Sequence, residues 1–144
     1  MPGSKAPPFS AYQLDGHKTF VNYAEVNTPT VLYVFTTDCH WCARNLENIQ
    51  SVVAGAGARF RFLGVSLTDN DLPTYLRQNT LPFQIYQTPS DEVRVAYGFN
   101  STPSTIVISP SGNVLQYWKG AYSEEVATEV ERYFQVKLPG LSKD

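Results

Sequence analysis

The sequence predicts an α/β fold, a central mixed β-sheet flanked by helices with an N-terminal β-hairpin extension. Three observations carry that expectation. Val31-Leu32-Tyr33-Val34-Phe35 is an unbroken apolar run rich in β-branched and aromatic residues, the pattern of a strand covered on both faces. Cys42, Leu46, Ile49 and Val53 then recur at spacings of four, three and four, the stripe of an amphipathic helix, before the second strand-like run Phe60 to Leu67. Further on, Thr105–Ser109 and Val114–Trp118 flank the turn-forming group Pro110-Ser111-Gly112-Asn113, so they make an antiparallel hairpin. A strand–helix–strand crossover places its strands parallel, and adding the hairpin makes the sheet mixed.

The remaining elements fall into place around this core. Pro2 to Pro8 is rich in Pro, Gly and Ser and reads as a flexible lead. Asp15-Gly16, between Tyr12-Gln13-Leu14 and Thr19-Phe20-Val21, signals the N-terminal hairpin, with His17 as a solvated residue beside the turn. Helix-capping side chains in Thr68–Asp71 precede a short helix from Leu72, and Leu81–Tyr86 is a loop entering a short strand. Ser90 followed by Asp91 and Glu92 starts a second short helix, ending at Tyr97 ahead of Gly98. The last helix begins at Ser123-Glu124-Glu125, shows Val126, Val130, Tyr133 and Val136 or Lys137 on one face, and stops before Pro139-Gly140.

With 144 residues, 42% of them hydrophobic and 13% aromatic, the chain supports one packed core and not two. The expected organisation is a lead over residues 1–8, a single domain over 9–138 and a tail over 139–144. A net charge of −2 without Lys/Arg clusters supplies no field for nucleic acid, and no apolar run is long enough to span a membrane. Met1 to Pro8 lacks the charged start and apolar core of a signal peptide, so either the protein is cytosolic or a tether lies outside this sequence. Proteins or small thiols are the partners left by this exclusion, and a monomer is expected.

Both cysteines lie in Thr36–Arg44, where the buried strand becomes a helix. The first turn of a helix presents unpaired N–H groups and the positive end of the macrodipole, which favour a thiolate. Cys42 falls on the apolar stripe whereas Cys39 stands at the helix start, so Cys39 is the expected nucleophile and Cys42 the resolving thiol. Two cysteines this close make a poor structural staple. Tetrahedral zinc needs four ligands, and besides the thiols the chain offers only His17 and His40. Redox chemistry without metal or other cofactor is the expectation.

The order of elements, together with Cys39-His40-Trp41-Cys42 after a buried strand, Thr102-Pro103-Ser104-Thr105 before the hairpin and Pro110–Asn113 followed by Gly120, resembles the thioredoxin superfamily. The similarity is to thiol–disulfide proteins of the TlpA and ResA type, related to the AhpC/TSA redoxins, and runs from about Pro8 to Val136. It implies a thioredoxin-like fold, a cis Pro103 against the sulfurs, and an extracytoplasmic location with a periplasmic or membrane-anchored precursor; a cytoplasmic one is the alternative. Thiol–disulfide exchange with protein thiols, served by a redox donor protein, is the implied activity. Two other readings stay open. Peroxiredoxins place Pro and Thr seven and three residues before their reactive cysteine, and here Thr36 fits but Leu32 replaces the proline. A copper- or zinc-binding module without redox turnover would use the thiolates with His40 or the distant His17.

Several positions depart from the family pattern. Tyr33 stands where thioredoxin has a buried acid, Asn45 where the ResA-like group has a glutamate, and Glu47 where a helix-kinking proline is usual, which implies a straighter helix. Asp38 replaces the usual Trp before the first cysteine. Asp38 disfavours and a protonated His40 favours the Cys39 thiolate, so the two are candidate tuning residues. Trp41 replaces thioredoxin's proline and is either an apolar docking surface, alongside Thr102 and Pro103, or part of the core. Trp118, on a strand, reads as structural.

Overall fold

The computed structural model describes residues 1–87 and 89–143. Its strands are β1 (Phe9–Gln13), β2 (Lys18–Val21), β3 (Thr30–Phe35), β4 (Arg61–Ser66), β5 (Gln84–Gln87), β6 (Ser104–Ile108) and β7 (Val114–Lys119). The helices are α1 (His40–Arg44), α2 (Leu46–Ala56), α3 (Leu72–Gln78), α4 (Asp91–Tyr97) and α5 (Glu124–Phe134), with a 3-10 turn at Tyr23–Glu25. One mixed sheet has the order β2-β1-β5-β4-β3-β6-β7. β3 pairs parallel with β4 and antiparallel with β6, while β6 pairs antiparallel with β7 and β1 with β2, as the sequence pattern implies.

All six residues of β3 are buried. Successive side chains on a strand point to opposite faces, and β3 divides accordingly. Leu32 and Val34 join one core with Phe9, Leu63, Tyr97 and Ile106, whereas Val31, Tyr33 and Phe35 join the other with Cys42, Ile49, Val52, Trp118 and Phe134. The strand that delivers the cysteines is therefore held from both faces and along both edges.

Three expectations need correction. Residues 3–6 are not a free lead: Gly3 N–H donates to Val114 O (2.8 Å), Val114 N–H to Ser4 O (2.8 Å) and Ala6 N–H to Gly112 O (2.7 Å), and Ala6 is buried. The open edge of β7 offers backbone partners that the composition of the lead conceals. The helix after the cysteines is not straight but is interrupted at Asn45, which has φ −92° and ψ 0° although no proline is present. The final helix ends at Phe134, because Gln135 adopts a left-handed conformation (φ 58°) and Val136 N–H closes onto Glu131 O (3.2 Å). Val136 and Leu138 still pack against the second core, so the apolar face seen in the sequence continues beyond the helix itself. Of the 139–144 tail, Asp144 lies outside the described residues.

Candidate active site

Beyond Phe35 the chain leaves the sheet through Thr36, Thr37 and Asp38. Thr37 fastens this exit, with its hydroxyl donating to Asn70 O (3.1 Å) and its N–H to Thr68 Oγ1 (3.3 Å). Cys39 then caps α1 with an extended backbone (φ −92°, ψ 111°), and its Sγ accepts the Cys42 N–H at 3.0 Å. A sulfur here occupies the position of a capping side-chain oxygen. Cys39 and Cys42 form a disulfide with a Cα–Cα separation of 5.2 Å. Cys42 is buried on the inner face of α1, and Cys39 is partly exposed.

A second donor reaches the same sulfur from across the sheet. The Thr102 hydroxyl donates to Cys39 Sγ at 3.3 Å. The Thr102–Pro103 peptide bond is cis, Pro103 is buried, and its carbonyl accepts Gly120 N–H at 2.7 Å, which ties the loop to the end of β7. One N–H and one O–H thus converge on the atom where thiolate charge develops when the disulfide opens.

The flanking residues line this site from two sides. Trp41 is 48% exposed, which settles it as surface and not core. It walls a groove of about 260 Å³ with Thr102, Lys119, Gly120, Ala121 and Val126. His40 is exposed and meets Trp41 edge-on, with ring centroids 5.5 Å apart. Asp38 lies on the other side, lining a polar groove of about 390 Å³ with Thr37, Asn70, Asp71 and Tyr75. His17 is not brought near: it sits in the β1–β2 turn paired with Asp15 (Nδ1–Oδ2 2.9 Å), three strands across the sheet from β3. That ion pair raises the His17 pKa and lowers that of Asp15. Trp118 is buried, donates from Nε1 to Glu129 Oε1 (3.0 Å) and packs on Tyr133 and Phe134, a structural role.

Beneath the sulfurs lies an arrangement that the sequence reading missed. Asn45 is fully buried, and its Oδ1 accepts Tyr122 N–H (2.9 Å) and Asn48 Nδ2–H (3.1 Å) while its Nδ2 donates to Tyr33 Oη (3.1 Å). Asn48 Oδ1 in turn accepts Gly140 N–H (2.9 Å). The amide therefore joins the α1–α2 junction to β3 and to the β7–α5 turn. It takes the junction residue away from ideal helical dihedrals to do so, which is the physical reason for the interruption. The available signal was two asparagines on a stripe that also carries Ile49 and Val52. Burial raises the pKa of both Tyr33 and Tyr122, so these phenols stay protonated and neither replaces a carboxylate base.

Among the described residues no group of three or more His, Cys, Asp or Glu could hold a metal ion, and no helix is long and apolar enough to cross a membrane. The sequence matches the AhpC/TSA family over residues 2–117. No match was found among curated protein sequences. Among solved structures, the fold is similar to that of a candidate thiol:disulfide interchange protein DsbE from Chlorobium tepidum (20% identity, TM-score 0.76, covering 94% of this chain and 95% of that one). It is also similar to the thioredoxin domain of a thiol-disulfide oxidoreductase from Bacteroides vulgatus (18%, TM-score 0.75, 93% and 98%). A third likeness is to a secreted Mycobacterium tuberculosis disulfide oxidoreductase homologous to E. coli DsbE (17%, TM-score 0.69, 88% and 94%). At these identities the likeness establishes a thioredoxin-like fold.

Proposed function

The chain belongs to the AhpC/TSA family, and from that premise we propose that it is a thiol–disulfide oxidoreductase that exchanges the Cys39–Cys42 disulfide with protein thiols through a mixed disulfide. One observation carries the reading. A partly exposed Cys39 Sγ, with Cys42 N–H and Thr102 Oγ1–H aimed at it, is bonded to a buried Cys42 three residues on. In the reducing direction the Cys39 thiolate attacks one sulfur of a partner disulfide, forming a Cys39–partner S–S bond and releasing a partner thiolate. Cys42, on losing its proton to solvent, then attacks Cys39 Sγ. This closes the Cys39–Cys42 bond and frees the second partner thiolate. Two electrons pass to the partner and its two thiolates take up two protons. A donor dithiol protein restores the reduced form by the same steps, and the reverse sequence oxidises a partner dithiol. No cofactor enters.

Trp41, Thr102 and Pro103 form the docking side of the nucleophile, and Asp38 and His40 flank it in sequence as the candidate tuning residues. The likeness to an interchange protein and to a secreted disulfide oxidoreductase supports polypeptide partners and an extracytoplasmic place of work. One chain supplies every group this exchange needs, since Cys39, Cys42 and Thr102 all belong to it.

Trapping distinguishes this reading from a thiol peroxidase. Cys42→Ser is expected to accumulate mixed disulfides with partner proteins, which Cys39→Ser abolishes, and Cys39 should alkylate faster than Cys42 in the reduced protein. Failure to trap any partner, or peroxide consumption that survives Cys42→Ser, would refute it. Leu32, where the peroxiredoxin pattern has proline, is fully buried in mid-strand and paired with both β4 and β6, which argues against the peroxidase arrangement.

A further inference from the structure

The segment Leu138–Ser142 lies along the active-site helices, held by three hydrogen bonds and one packing contact. Ser142 N–H donates to Arg44 O (2.9 Å), while Arg44 Nε–H donates to Ser142 O (2.8 Å). Gly140 N–H donates to Oδ1 of the fully buried Asn48 (2.9 Å), and Leu138 packs against the core that contains Cys42. Gly140 sits at φ +101°, a conformation that side-chain-bearing residues rarely adopt, so the path of the segment depends on glycine there.

The reciprocal bond pair has a consequence one turn away. Arg44 carries its guanidinium carbon 4.8 Å from the Trp41 ring centroid, within cation–π range. Trp41 in turn walls the groove that contains Thr102, the residue touching Cys39 Sγ. A half-exposed indole without such support would sample several rotamers and would lose that freedom on binding a partner. Backbone of the 138–142 segment fixes Arg44, Arg44 fixes the indole, and the indole shapes the groove.

We propose that Leu138–Ser142 is a strap that presets Trp41 and thereby sets the enzyme's preference for polypeptide disulfides with an apolar or aromatic side chain beside the reacting sulfur. The proposal rests on the oxidoreductase reading above. A small dithiol reacts at Cys39 without a side chain to lay in the groove, so the strap governs binding of polypeptides and leaves the sulfur chemistry alone.

The test compares the full chain with a form lacking residues 139–144 and with Gly140→Val. Substrates are a disulfide peptide with Phe beside each cysteine, the same peptide with Gly there, and dithiothreitol. Both altered forms are expected to raise KM for the Phe peptide by about threefold to tenfold, the range a cation–π contact and its ordering supply. They should keep kcat, the Gly-peptide KM and the dithiothreitol rate within about twofold, since no direct substrate contact changes. Acrylamide quenching of Trp41 fluorescence, taken as the difference from Trp41→Phe, should rise in both. A Phe-peptide KM that stays put, or rates that fall together for peptides and dithiothreitol, would overturn the strap. Full-length protein inert toward every substrate would instead sink the oxidoreductase reading, and the quenching difference would still decide whether the segment holds the indole.

Discussion

Thr102→Val removes one hydroxyl and little volume from the residue that donates to Cys39 Sγ at 3.3 Å. A hydrogen bond to a charged group contributes about 1.5 to 3 kcal/mol, and a sulfur acceptor at this distance belongs at the low end. The bond favours the thiolate over the neutral thiol, so a loss of about 1.5 kcal/mol raises the Cys39 pKa by about one unit. The same change makes the reduced form less stable above that pKa and moves the disulfide potential by about 30 mV in the reducing direction. Cys42 N–H remains as the second donor, which keeps the site functional and the change measurable. Alkylation rate against pH reads the pKa, and equilibration with glutathione buffers reads the potential. Thr102→Ser retains the donor and should stay close to the unmodified protein in both. An unchanged or lowered pKa in Thr102→Val would refute the argument that this hydroxyl serves the thiolate.

Two further expectations concern the layer beneath the sulfurs. Asn45→Ala strands Tyr122 N–H and the Asn48 amide in a buried setting and leaves Tyr33 without its donor, at a cost of about 3 to 5 kcal/mol. For a chain of this size that is roughly 10 to 15 °C in Tm by thermal melting, and a drop of under about 3 °C would show that the network is not a stability element. The second is alkaline sensitivity. Burial raises the pKa of Tyr23, Tyr33 and Tyr122 above the ordinary value near 10, so stability from keeping them protonated is whole below about pH 10 and is lost as pH rises toward the folded values. By pH 11 each costs on the order of 1 kcal/mol. Denaturant midpoints followed from pH 9 to 11 test this, and a midpoint that holds steady across that range would refute it.

What could be read in the sequence was whatever a local pattern encodes. The apolar run at Val31–Phe35 announces a strand because both of its faces are covered, and the stripe through Cys42 and Ile49 announces which sulfur is buried. Asp91–Tyr97 was legible to the residue, since Ser90 Oγ caps Val93 N–H (3.3 Å) and Gly98 supplies φ +69° at the other end. The features that escaped have partners far along the chain. Gly3 and Ala6 read as linker because nothing nearby shows that Val114 and Gly112 satisfy their backbone. Trp41 could be core or surface until the position of Arg44 and the groove decided it. Asn45 looked like a lost acid when it is the acceptor for an N–H that lies 77 residues further along the chain.

The interruption at Asn45 bears on whether such a site can be transplanted. A proline in the interior of a helix breaks it by its own ring, whatever surrounds it. Asn45 bends the chain only through Tyr33, Asn48 and Tyr122, which lie 12, 3 and 77 residues away in sequence. A Cys39–Ala56 segment grafted onto another scaffold carries the Cys-His-Trp-Cys letters and one of the three partners, but not the bend. Without the other two, Asn45 is an ordinary, if mediocre, helix residue, and the two sulfurs ride on a continuous helix. The redox module of this protein is therefore not its motif but the motif together with one tyrosine of the central strand and one backbone amide of the turn before the last helix.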